Sequence, residues 1–591
     1  MTAAIRLKRK ARGERPYFFA DPNVDKVIAM VMGLAGAIAA ACSAGGGDQG
    51  LSSPGGGNPG GAAGSGEGGG GNPAGSGQGG GMIFDSGTIE DSSGSGFVTN
   101  PKTCAESANS HSYIGCDYWP TVTANNVWSI FDFAVVVANT GTEDAEVTVT
   151  GPSGTNTFDV VPPNTLKTVY LPWVPALKGK DCNECGEAVA MTASVKADAS
   201  AFHLVSTRPV TVYQFSALEY AGKGGPSGKN WSSCPGNKIC SQTFSAVGCF
   251  SFSNDASLLL PSTAWTQNYR LAGSNGWEVD GFGGVMPSYA VITASQDGTE
   301  VEFKTAGKVL AGGGLSAMSK GQSGKVTLNA GDVLEVVGGN LAADDLSGSL
   351  VTATKPIQVI TGMPCVNKPA DKSACDHVEE SVFPAETLGK EYVVTLPAAP
   401  KGGKAPGQIV RIVGNVDGTT LTFDPAVKIG ATATINAGQV IDLGQVVQDF
   451  KVSGDNEFIV ATFMLGGSVV DPGTTGEEKG DPSQSLATAI EQYRDSYIFL
   501  APQDYDVNYV NIIAEPGTSV TLDGKGVDSS LFSTVGGSGM GVARVKLAAT
   551  GSHSLTSSKP VGIQVYGYGS YTSYQYPGGL NLRSIAPPPP K

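Results

Sequence analysis

Residues 289–303 read YAVITASQDGTEVEF, and the same outline returns as FAVVVANTGTEDAEVTV at 133–149, VRIVGNVDGTTLTF at 410–423 and VNIIAEPGTSVTL at 510–522. Each copy is an apolar run, a short polar break, and a second run in which Val, Leu or Phe alternates with Glu, Asp or Thr. Period-two alternation of β-branched and aromatic residues marks a strand with one buried face. Two of the breaks hold Asp297-Gly298 and Asp417-Gly418. Glycine reaches φ > 0 without a Cβ clash, so each copy is expected to be a hairpin closed by a tight turn.

Further along, a second signature follows each copy: Thr207-Arg208-Pro209-Val210, Thr354-Lys355-Pro356-Ile357 and Ser558-Lys559-Pro560-Val561, degenerating to Asp455-Asn456-Glu457-Phe458 in the third. Proline has no ladder donor and belongs at the first residue of a strand or on an edge. Between copies lie Pro-containing connectors (Leu260-Pro261, Phe383-Pro384, Pro482), each leading to a strand headed by Tyr269, Tyr392 or Tyr497. No helical periodicity is sustained after residue 95. The fold expected is therefore all-β: four imperfect repeats of a β-sandwich-like unit, packed into one large module over 95–582. A propeller-like arrangement is the alternative, although single blades of about 40–50 residues are shorter than these units.

The ends differ in character. Residues 1–41 pair a basic stretch with the apolar run VIAMVMGLAGAIAAA at 27–41. That run is shorter than the ~20 residues of a spanning helix and has the form of a secretory signal. Ala39, Ala40 and Ala41 before Cys42 resemble a lipobox, so Cys42 is the expected lipidation site; simple cleavage beside it is the plainer reading. Residues 42–94 are dominated by Gly and Ser and cannot bury enough surface to order, as suits a flexible tether. Residues 583–591 form a Pro-rich tail. The localisation expected is export, with lipid anchoring at a bacterial cell envelope, on the outer membrane or cell surface.

The net charge is −15, and Arg6, Lys8, Arg9, Lys10, Arg12, Arg15 and Lys26 all precede Cys42, so the remainder is more acidic still. Such a surface repels phosphate backbones, which argues against a nucleic-acid partner. The partners expected are the bilayer, through the anchor, and an extracellular protein or glycan. Cysteines cluster locally, as in exported chains. Cys104–Cys116 and Cys365–Cys375 are the expected disulfides; the pairing of Cys182, Cys185, Cys234, Cys240 and Cys249 stays open. Cys182-x-x-Cys185 could be half a zinc site or a redox pair, but only four His exist in the chain, and a structural zinc needs about four ligands.

Two clusters carry chemistry. Cys375-Asp376-His377-Val378-Glu379-Glu380 sets an imidazole beside three carboxylates, suited to acid–base work or a cation, although a disulfide at Cys375 with the charges flanking a strand connector is the preferred account. Tyr566, Tyr568, Tyr571, Tyr574 and Tyr576 could present a binding face for sugar or protein, unless the rings pack inside. No Gly-x-Ser-x-Gly elbow with His and Asp partners occurs in a hydrolase-like order. No catalytic residue, metal or cofactor is expected.

These residues also carry a resemblance. His377-Val378-Glu379-Glu380 after Cys375-Asp376, Glu491-Gln492-Tyr493-Arg494 leading to Tyr497-Ile498-Phe499-Leu500-Ala501-Pro502, Asn508-Tyr509-Val510-Asn511, Ser253-Asn254-Asp255-Ala256-Ser257 with Leu260-Pro261, and Tyr576-Pro577-Gly578-Gly579 are similar to the IgGFc-binding protein N-terminal domain. The resemblance covers most of 95–582. It implies a non-catalytic surface binding or adhesion module, since the family is named for an animal protein that binds the Fc part of immunoglobulin G. It supplies no Fc-contacting residue here. A secreted carbohydrate-active enzyme is the competing class, which would require paired carboxylates.

Overall fold

The computed structural model describes residues 100–590, except 140, 242–243, 252–254, 280–283, 340, 342, 373–374 and 474–477. Cys42, the signal and the tether lie outside the described residues. The regular structure of the described chain is almost all strand, as the alternation of its sequence led us to expect, and its longest helix is Cys104–Ser110, seven residues closed by a Thr103/Glu106 capping box. Among the described residues no helix is long and apolar enough to cross a membrane.

All four repeats fold, but not as hairpins. Tyr289–Ala294 pairs with Val333–Val337 and with 357–362 of the strand Leu350–Val366, whereas Thr299–Lys304 pairs with Ser323–Leu328 and with 350–353 of that same strand. The two halves of the copy thus enter different layers, and the link between them is an arch. One long spine strand serves both layers. The other spines are His203–Ser216, Gly551–Gly569, and the pair Phe450–Gly454 and Phe458–Phe463, in which the strand is interrupted. Gly298 and Gly418 take φ of 64° and 71° at their arches, so the turn chemistry is as read; only the choice of pairing partner differs.

The basic-Pro signature sits where each spine changes layer. At that point the ladder switches partners, so proline's missing donor costs no bond. The preceding Thr or Ser hydroxyl accepts a backbone N–H from the arch: Thr207 from Glu146, Thr354 from Glu300 and Ser558 from Ser519. In the degenerate copy Asp455 Oδ1 accepts from Thr420 instead. The basic side chain then returns to the arch loop, Arg208 to Glu143, Lys355 to the Asp297 carbonyl and Lys559 to Glu515. The heading tyrosines complete the pattern. Tyr269, Tyr392 and Tyr497 donate to the carbonyls of Ile357, Phe458 and Val561, the residue after each Pro or its equivalent. Tyr118 does the same to Val210 in the first unit.

After its spine, each unit adds one more strand to the same sheet: Ala256–Leu259, Asp376–Ser381, Gln484–Leu486 and Thr572–Pro577. These four pack in cyclic order, the last against the first, and make an axis for the whole body. Sandwich-like therefore describes each unit, and propeller-like the way the units are set. The ring is closed at the seam by Ser112 bridging Asn581 and by Leu582 N–H donating to His111 O at 2.8 Å. The largest apolar core runs through all four units from Tyr113 to Leu582, while units two and three keep sandwich cores of their own. The Pro-rich tail begins by docking, with Ile585 and Ala586 N–H both donating to Glu386 O.

Cys104–Cys116 and Cys365–Cys375 are disulfides, the second closing the link from spine to axial strand. Cys185–Cys240 and Cys234–Cys249 staple the long insert of the first unit. Cys185 is committed to Cys240, so Cys182-x-x-Cys185 is neither a mutual redox pair nor half a zinc site.

Candidate functional site

The strand Asp376–Ser381 is buried along its whole length because both of its faces meet other axial strands or spines. Its charges therefore point into protein. Asp376, His377, Glu379 and Glu380 are each no more than 1 % exposed, and Asp255 and Asp481 from neighbouring axial segments join them. Asp255 is the hub: Oδ2 accepts the backbone N–H of Glu379 at 3.2 Å and of Gln484 at 2.9 Å, so one carboxylate ties three units together. Glu379 accepts from the Thr123 hydroxyl at 2.6 Å and from Gln214 Nε2 at 3.1 Å. His377 Nε2 meets the Tyr289 hydroxyl at 2.8 Å and the Thr123 hydroxyl at 3.3 Å, and stands 3.9 Å from Glu379. Among the described residues, neither Asp376 carboxyl oxygen has a hydrogen-bond partner.

Burial sets the charge state of this cluster. Removing water penalises the ionised form, so carboxyl pKa values rise and the imidazole's falls. Glu379 is pushed up to about 7, while His377 is driven down to about 3, with Lys178 adding to the effect. Asp255, Asp376, Glu380 and Asp481 are raised well above their ordinary values by desolvation, reinforced by one another's charge or that of neighbouring acids. Below about pH 7 the cluster is thus a set of neutral acids and a neutral imidazole. Acid–base work on a substrate needs contact with it, and these side chains are sealed in the axis. Among the described residues no group of three or more His, Cys, Asp or Glu is placed to hold a metal ion.

The tyrosine face needs correction. Tyr566, Tyr568, Tyr574 and Tyr576 are at most 1 % exposed. Their hydroxyls donate to Asn511 Oδ1, Ala398 O, Asn508 Oδ1 and Leu500 O. They fill the seams between unit four and its two neighbours, Tyr568 against the 398 loop of unit three and Tyr576 against Tyr213 of unit one. Tyr571, half-buried at φ 53°, turns the chain from spine to axial strand. Two further residues went unnoticed in the sequence. Asn329 and Asn436, each opening an Asn-Ala-Gly, accept the N–H of the arch glycines Gly298 and Gly418; the repeated tripeptide was the available signal.

A family model described as IgGFc binding protein matches residues 255–567. The human IgGFc-binding protein (Homo sapiens) is 25 % identical over 296 residues, which is 48 % of this chain but only 5 % of that protein's length. Among solved structures, an anti-sigma factor domain-containing protein from Clostridium clariflavum (12 % identity, 54 % of this chain and 84 % of that one) has a TM-score of 0.11. A tetra-tandem repeat from the extending region of a large adhesion protein (13 % identity, 79 % of this chain and 99 % of that one) has 0.08. Neither score carries an argument about the fold. With the matched segment running from the axial Asp255 to Gly567 of the last spine, the chain belongs to the IgGFc-binding protein family.

Proposed function

We propose that this chain is a non-catalytic binding or adhesion module that recognises an extracellular protein or glycan, held at a bacterial cell envelope through a lipid on Cys42. One observation carries the non-catalytic reading: the most enzyme-like residues, His377, Glu379 and Glu380, brace the axis and have no solvent-facing surface. The name of the human relative supports a protein as ligand, and the acidic balance of the chain disfavours nucleic acid. The apolar run before Cys42 and the Gly-rich tract after it support anchoring with stand-off from the membrane. The test presents the purified chain with immobilised immunoglobulin G Fc and a glycan array, and with a panel of glycan, peptide and ester substrates. Saturable binding without turnover is the expected result. Turnover that disappears in folded His377→Ala or Glu380→Gln overturns the reading.

A further inference from the structure

The four units provide an internal comparison of one surface, the outer face of the small layer. In unit one this face carries Phe158 on the edge strand, Thr148 beside it and Val205 on the spine, all directly in register. Phe158 is 62 % exposed, and Val160 and Val205 are each 42 % exposed. In unit two the register places Lys325, Glu302 and Thr352 at the corresponding positions, with Lys325 paired to Glu300 and Glu302. In unit three they are Thr432, Thr422 and Ser453. In unit four Gly526, Thr521 and Thr556 stand there. One scaffold position is therefore polar or small in three copies and apolar in the first. Solvated sheet faces alternate to polar side chains, so this departure marks a covered surface.

The chain itself supplies an occupant. Between Ser52 and Gly96 the only large apolar residues are Met82, Ile83, Phe84 and Ile89, one island in a Gly/Ser tract. The described chain begins beside the face: Cys104 Sγ lies 3.5 Å from the carbonyl of Ser206, the neighbour of Val205, and Cys116, its disulfide partner, precedes Asp117, which pairs with Val205. Nine residues, 91–99, separate the island from Asn100; extended, they span up to ~30 Å, ample to reach a face only a few strand spacings of about 4.8 Å wide. We infer that the segment 82–90 docks onto the exposed face formed by Phe158, Val160 and Val205. The working tether is then shorter than the sequence suggests, and it leaves the module from unit one.

Hydrogen–deuterium exchange on the chain with its N-terminal tract retained tests this. Amides of 82–90 are expected to exchange at least about tenfold more slowly than in a free peptide spanning 80–96. The double variant Phe158→Lys, Val205→Thr, which installs the residues of unit two, returns them to the free-peptide rate and leaves the rest of the map unchanged. Free-peptide exchange in the parent chain overturns the inference, as does equal protection in the variant. Protection that appears only as concentration rises, together with a dimer in sedimentation, assigns the face to a second copy and also overturns it.

Discussion

Replacing Glu379 by Gln removes one titrating group from the axis while keeping its shape and its place between Thr123 and Gln214. In the fold this carboxyl titrates at about 7, against an ordinary value of 4.5. Its folded pKa is raised, so the fold holds a proton that the unfolded chain releases. Its contribution to stability is fully present below pH 4.5 and is lost as pH rises to about 7, a total on the order of 3 kcal/mol. At pH 6 the folded group is mostly protonated and the unfolded one mostly ionised, a difference of about 0.9 proton. Unfolding in guanidinium at pH 6 in weak buffer therefore releases protons, and Glu379→Gln should release about one fewer than the parent. Counting protons by pH-stat titration suits a body of four linked units, because it does not require reversible two-state unfolding. Asp255, Asp376, Glu380 and Asp481 shift in the same direction, so the parent total should exceed one. Equal release from parent and variant would mean that Glu379 is ionised inside the axis, and the account of a neutral acid cluster would fail.

Tyr269→Phe and Tyr392→Phe should each cost about 1–3 kcal/mol, because the Ile357 or Phe458 carbonyl loses its buried donor and the Thr266 or Gly389 N–H its acceptor; exchange should quicken in the affected unit first. Replacing Cys104 and Cys116 together by Ser opens a loop of sequence separation 12, worth about 3 kcal/mol by chain entropy, and denaturant midpoints measure it. Mass spectrometry of the N-terminal peptide is expected to find a thioether lipid on Cys42. An unmodified or disulfide-bonded Cys42 refutes the anchor, since one sulfur cannot carry both bonds. Tyr568→Phe should loosen the seam to unit three by releasing the Ala398 carbonyl, read as faster exchange around residue 398 with an unchanged ligand-binding constant.

Strand content and the four-fold repeat were legible because alternation and turn chemistry are local. The Asp-Gly at 297–298 told correctly that the chain reverses with φ > 0. It could not tell whether the flanking strands bond each other or a common third strand, because that choice is made by the spine some 50 residues later. Tyr118 escaped notice as the fourth heading tyrosine because no Pro connector precedes it. The misread aromatic face has a different origin. Tyr566 and Tyr568 share one parity of their strand, and Tyr574 and Tyr576 share one parity of the next, so alternation assigns each pair to one face without naming what covers it. Neighbouring units cover both. For the axial strands the alternation rule itself fails: His377, Glu379 and Glu380 look like a half-exposed strand, yet both faces lie inside the ring, and their polarity is spent on other units.

The seam at Ser112 and Asn581 joins the segment just before the first strand to the segment just after the last, so the polypeptide enters and leaves the body at nearly one point. Tension applied at both ends would act as a peel, opening the contacts of 111–113 with 580–582 one after another. Load arriving from the N-terminal side alone, with the other end free, does not cross that seam. A body of this kind can also be spliced into a much longer chain as a side branch, adding mass while adding almost no contour length between its neighbours.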